Sequence, residues 1–103
     1  APSAVVRAVA RLGGNIAQAR KNRRWRQVDL AAKAGVERRV ILGIEAGQLG
    51  VGIGAYVAAL WAMGLERDVV LLASPDRDLE GQTLGAARGG KRIRPATELD
   101  DEF

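Results

Sequence analysis

The sequence predicts an all-α protein: a compact domain of five helices over residues 1–73, then a partly ordered tail over residues 74–103. Three observations predict it. Apolar residues recur at three- and four-residue intervals through most of the first part, which is the period of a helix with one buried face. Gly35 and Gly64 stand where two of those runs stop, and glycine is the residue that ends helices without strain. After Ser74 the composition shifts to glycine and charge, with few apolar side chains.

The first helix is expected over about Ser3 to Asn22, with Val5, Val9, Leu12, Ile16 and Ala19 on one face. Its Gly13-Gly14 pair should weaken the middle by about 1 kcal/mol per glycine relative to alanine. From Trp25 to Gly47 the chain reads WRQVDLAAKAGVERRVILGIEAG, two short helices joined by a glycine turn. The second helix covers about Gln27 to Ala34 and the third about Glu37 to Glu45. Leu30, Ala31, Ala34, Val36, Ile41 and Ile44 take the buried positions, and small Ala31 lets the two axes approach. Arg38 and Arg39 open the third helix on its outer face. A fourth helix follows over about Ile53 to Met63, carrying Tyr56, Val57, Leu60 and Trp61. Trp61 reads as core or as dimer interface, and Trp25 as packing beside the helix pair. The fifth helix covers about Glu66 to Ala73, although Val69-Val70-Leu71-Leu72 leaves a β-strand open by periodicity alone.

In the tail, Ser74-Pro75-Asp76 is a good helix start: a capping hydroxyl, a proline and an acid. Leu79, Leu84 and Ala87 form only a thin apolar stripe. Gly81, Gly85, Gly89 and Gly90 argue against a helix that is stable alone. Lys91-Arg92-Ile93-Arg94 makes a basic knot before the acidic end and Phe103.

Composition narrows the function. The 103 residues have an apolar share of 48%, enough for a small helical core, and neither cysteine nor histidine. Disulfides, thiolate metal sites and the commonest general base are therefore absent. Asp76, Asp78 and Glu80 could be imagined around magnesium, but they read as a solvated helix start, so no metal, no cofactor and no enzyme is expected. No apolar run reaches the ~18 residues of a membrane span, and the start lacks the apolar core of a secretory signal. The expectation is a soluble cytoplasmic protein with no membrane partner.

Charge is unevenly spread. Residues 1–48 hold ten Lys and Arg against three acids, whereas the remainder holds six against nine. Arg20, Lys21, Arg23, Arg24 and Arg26 crowd the approach to the helix pair. Such a cluster favours a polyanion and makes its binding salt-dependent. A rigid helix pair with basic side chains suits the major groove of DNA.

The stretch from Gln27 to Ala46 resembles the helix-turn-helix of the Cro/C1-type, or XRE, family. Gln27 stands at the start of the first motif helix, Ala31 at the close approach, Gly35 at the turn, and Leu30, Ala34, Val36, Ile41 and Ile44 at the buried positions. Arg20 and Glu45 match a family pair tying helix one to the end of the recognition helix. Arg26 departs from the usual Thr or Ser, so the preferred cap is missing. Glu37 also replaces Ser or Thr, and Gly43 occupies a position that often reads bases. The resemblance implies a five-helix Cro/C1-type domain on double-stranded operator DNA. It also implies a contact set of Gln27, Arg38, Arg39, Arg24, Arg26, Glu37, Leu42, Gly43 and Gln48.

Residues 51–94 resemble antitoxins of the HipB-like kind, through Trp61, Gly64-Leu65, Pro75-Asp76, Asp78, Gly81 and the basic knot. That resemblance implies a homodimer that represses its own operon and binds a HipA-type kinase toxin. The expected dimer interface is Trp61, Val69, Val70 and Leu72. The expected toxin contact is Leu79, Leu84, Lys91, Arg92 and Arg94. A stand-alone XRE-family regulator without a toxin partner is the alternative.

Overall fold

A computed structural model describes residues 1–88. The elements are α1 (Ser3–Asn22), α2 (Gln27–Ala34), α3 (Arg38–Glu45), α4 (Ile53–Ala62), 3-10 turns at Glu66–Leu71 and Pro75–Arg77, and α5 (Leu79–Ala87). Among the described residues the structure is all-helical, without a strand. The chain divides into two units, Ala1–Val70 and Leu71–Phe103, close to the expected boundary after residue 73.

The core of the first unit follows from the apolar spacing. Ile16 of α1, Leu30 and Ala31 of α2, Ile41 and Ile44 of α3, and Tyr56 and Ala59 of α4 are buried together with Met63. Helix α2 packs on α3 and α4, and α1 packs on α3. Ala34 and Val36, expected in the core, are only half-buried at its edge. Gly35 adopts φ 73° and ends α2, as a left-handed residue at a helix C-terminus should.

Two glycines make the α1–α3 contact. A Cβ on Gly13 would fall inside the carbonyl oxygen of Ile44, and one on Gly47 would lie 2.8 Å from the Cα of Ala10. Gly47 also has φ 73°, so both space and backbone require glycine there. Gly14 faces open space. The glycine pair is therefore not a uniform weakness: one member is needed for packing, and only the other is dispensable.

Helix α2 starts without a capping hydroxyl, yet its first turn is held. The backbone N–H of Arg26 donates to Asp29 Oδ2 at 2.7 Å, and the Arg26 guanidinium grips the same carboxylate from outside. The acid thus supplies half of a capping box, the half an arginine at the N-cap leaves possible. Helix α3 begins at Arg38, one residue later than expected, with Glu37 as its N-cap.

The expected fifth helix, Glu66 to Ala73, is a 3-10 turn over Glu66–Leu71 instead, and the strand alternative is not taken. None of its residues is buried, so no core face stabilises full α-helical turns. Ala73 then leaves the helical region at φ 57°.

In the second unit a helix forms over Leu79–Ala87 despite the glycines that argued against one, and it does not start from Ser74. Ser74 precedes only the short Pro75–Arg77 turn and makes no capping hydrogen bond. Asp78 caps α5 by accepting from the backbone N–H of Gly81 at 2.9 Å. The Gln82 side chain donates back to the carbonyl of Pro75, closing the turn onto the helix. These local bonds offset the cost of Gly81 and Gly85. Lys91, Arg92, Arg94 and Phe103 lie outside the described residues.

Candidate nucleic-acid interface

Helix α3 is two-faced. Ile41 and Ile44 are fully buried, while Arg38, Arg39 and Leu42 share one exposed strip. The spacing explains the strip, because residues 38, 39 and 42 lie within about a third of a turn of one another. Arg39 Nε donates to Glu37 Oε2 at 2.9 Å, with both side chains well exposed. Such a pair is screened by water and easily exchanged for another acceptor. Among the described residues no hydrogen bond or ion pair engages the Arg38 side chain.

Gly43 is not on that strip. It is buried beneath the Gln48 side chain and Val51, where an added Cβ would come within 2.7 Å of Gln48 Oε1. A Cβ at 43 would therefore face the following loop and not the exposed strip. Gln48 is exposed, and its carbonyl accepts from the Tyr56 hydroxyl at 3.3 Å. Burial pushes the Tyr56 phenol up from its ordinary range.

The arginine cluster divides into two sets. Arg20 is buried and structural. Its Nε and Nη2 donate to Glu45 at 2.7 and 2.9 Å, and its Nη1 donates to the Trp25 carbonyl at 2.8 Å. Gln27 Nε2 adds a bond to Glu45 Oε1 at 3.1 Å. Burial raises the Glu45 carboxyl, but hydrogen bonds from Arg20 and Gln27 and the guanidinium charge outweigh it and leave the group below its usual value. The hydrogen bond to Glu45 raises Arg20 in turn. Arg23 ties the end of α1 to the end of α4, donating to the carbonyls of Ala19 and Met63. The exposed set is Arg23 together with Lys21, Arg24 and Arg26. Arg26 stays exposed while it holds Asp29, whose carboxyl that hydrogen bond lowers. Arg24 sits at φ 59°, a left-handed conformation that costs a non-glycine residue about 1–2 kcal/mol.

Gln27 is half-buried, with its amide nitrogen donating to Glu45. Nothing in the sequence pattern flagged that bond, although the pairing of Arg20 with Glu45 was expected. Trp25 is half-buried against the core, with Lys33 Nζ 4.8 Å above its ring centre. That contact fills the ring face with a cation.

No family model, curated protein or solved structure matches this chain. The reading of the site rests on its own residues.

The expected dimer residues are placed as follows. Trp61, Val70 and Leu72 are exposed, at 61%, 77% and 69%, and Val69 is half-buried. Leu79 and Leu84 of α5, expected to meet a partner, are exposed as well. Among the described residues no three acids gather as a metal site, and no helix is long and apolar enough to cross a membrane.

Proposed function

We propose that this chain is a sequence-specific DNA-binding repressor of the Cro/C1 type, working as a twofold dimer and as the antitoxin of a HipA-type kinase. In this reading α2 and α3 are the helix-turn-helix, α3 enters the major groove, and Arg24 and Arg26 take phosphates. The observation that carries it is the exposed strip of Arg38, Arg39 and Leu42 on a helix whose other face is fixed by Ile41 and Ile44. A rigid helix presenting unpartnered arginine is what bidentate reading of guanine needs.

The test is fluorescence anisotropy with duplex DNA from upstream of the chain's own reading frame, against a shuffled duplex. Binding should prefer the native duplex, with half-sites ~10 bp apart centre to centre. Arg38→Ala should cost about 1–3 kcal/mol of that preference while leaving shuffled binding nearly intact. Equal affinity of wild type for the two duplexes refutes the reading.

The antitoxin part is supported by the resemblance over residues 51–94 and by the exposed Leu79 and Leu84. Truncation after Ser74 should preserve DNA binding and abolish co-purification of the kinase encoded beside it. Full-strength capture by the truncated chain would move the contact to the first unit. A full-length chain that binds its operator and captures no kinase would be a stand-alone regulator.

A further inference from the structure

Helix α4, IGAYVAALWA, is the only α-helix among the described residues without a Lys, Arg, Asp or Glu. One face, with Tyr56 and Ala59, lies in the core. A helix that is apolar all round normally has both faces covered. The outer face of α4 is nevertheless open. Trp61 and Ile53 are 61% and 67% exposed, Gly54 is exposed with nothing within 4 Å of a Cβ placed there, and Val57 and Ala58 are half-buried.

We propose that this face is the seam of a twofold dimer in which two α4 helices cross antiparallel, each Trp61 seated over the partner's Gly54. The register comes from the helix itself. Gly54 and Trp61 are seven residues apart, two turns, so they lie on one line along the outer face. Val57 and Ala58 flank that line midway between them. An antiparallel copy centred between residues 57 and 58 brings every Trp61 opposite a Gly54, a knob against a hole, twice by symmetry.

Charge selects a second copy as the occupant and α4 as its place. The α1 and α3 surfaces carry Arg7, Arg11, Arg38 and Arg39, so two copies repel each other there. The uncharged α4 face lets them meet without stranding a charge. Area sets the strength. An exposed Trp61 and Ile53, with two half-buried neighbours, fall short of the ~800 Å² per partner of a standard interface. The dimer is therefore weak and concentration-dependent in free solution. This deepens the dimer that the repressor reading calls for, and its test needs no DNA, so either idea can fail alone.

The chain has no cysteine, so single substitutions report contacts cleanly. Val57→Cys and Ala58→Cys stand beside the twofold axis and should form disulfide-linked dimers under mild oxidation at least about ten-fold faster than Val70→Cys. In sedimentation, Gly54→Trp should weaken the wild-type dimer by about ten-fold or more, since it sets knob against knob. Adding Trp61→Gly to Gly54→Trp should restore most of the loss, with helical content followed by circular dichroism. Cross-linking of Val70→Cys at an equal or greater rate overturns the proposal. So does a double variant that dimerises no better than Gly54→Trp, or the absence of cross-linked dimers, which would mean that something other than a second copy covers this face.

Discussion

Removing Arg20 should cost more stability than removing any other arginine of the basic half. Its side chain and that of Glu45 are 10% and 9% exposed, and the guanidinium makes three hydrogen bonds, two to the carboxylate and one to the Trp25 carbonyl. Arg20→Ala deletes all three. It leaves a buried carboxylate with Gln27 as its one remaining side-chain donor, and a carbonyl without its guanidinium. Breaking a buried pair from one side costs about 3–5 kcal/mol. A unit of this size has on the order of 4–10 kcal/mol in total, so the variant should be close to unfolding at room temperature. Removing both charges is a different experiment. Arg20→Met with Glu45→Leu strands no ion, and it should recover most of the loss. Urea unfolding followed by circular dichroism reads both, as a lower midpoint at unchanged slope. If Arg20→Ala lies within ~1 kcal/mol of wild type, a figure usual for solvent-screened pairs, the clamp is not structural. A double variant less stable than Arg20→Ala would equally refute the argument.

The same pair gives a pH dependence with a definite sign. The Glu45 carboxyl is lower in the folded state than in the unfolded chain. Below its ordinary value the unfolded chain therefore binds a proton that the folded one still refuses. The contribution is fully present above the usual glutamate range and disappears as the pH falls through the depressed folded value. Stability should fall on acidification below about pH 4.3, and that slope should be shallower in the Arg20→Met, Glu45→Leu variant.

The glycine pair in α1 should separate: Gly14→Ala, in open space, should stabilise by roughly 0.5–1 kcal/mol, whereas Gly13→Ala should destabilise, because its methyl group meets the Ile44 carbonyl; thermal unfolding of both checks it. Arg24→Gly should gain about 1 kcal/mol of stability by relieving the left-handed backbone, yet it should weaken binding to any duplex and reduce the salt slope by about one. Arg24→Ala should show the same binding loss without the gain, so equal stabilities for the two variants would sink the strain argument.

The fold was legible where one residue decides a conformation. Gly35 and Gly64 mark helix ends with φ 73° and 76°. The buried set Leu30, Ala31, Ile41 and Ile44 follows from spacing, because each sits on the face its helix must hide. Legibility failed where long-range contact decides. Val69-Val70 looks like an interior segment, but nothing packs on it firmly enough to make an α-helix. Gly13 looks like a flaw in α1 until Ile44, thirty-one residues away, turns out to need the space. At α5 the sequence pointed to Ser74 as a cap, while Asp78, with the free N–H of Gly81 in reach, takes the role.

The basic cluster shows the same limit at the candidate site. Composition counts Arg20, Lys21, Arg23, Arg24 and Arg26 alike as charge for a polyanion. Structure removes Arg20 from that account, since its charge is matched by Glu45 and its donors are spent on that carboxylate and the Trp25 carbonyl, whereas Arg23 bonds only the neutral carbonyls of Ala19 and Met63 and stays exposed. What is left facing outward before α2 is Lys21, Arg23, Arg24 and Arg26, with Arg38 and Arg39 on α3. The two sets depend on each other. Arg20 fixes the end of α3 through Glu45, and Glu45 holds Gln27 at the start of α2, so one buried carboxylate sets the relation between the two helices that carry the outward charge. Mutating Glu45 to Gln should therefore disturb the preference between DNA sequences through loosened helices, with no charge on the binding face altered. A salt slope equal to wild type, beside a reduced preference, distinguishes that route from the loss of a phosphate contact.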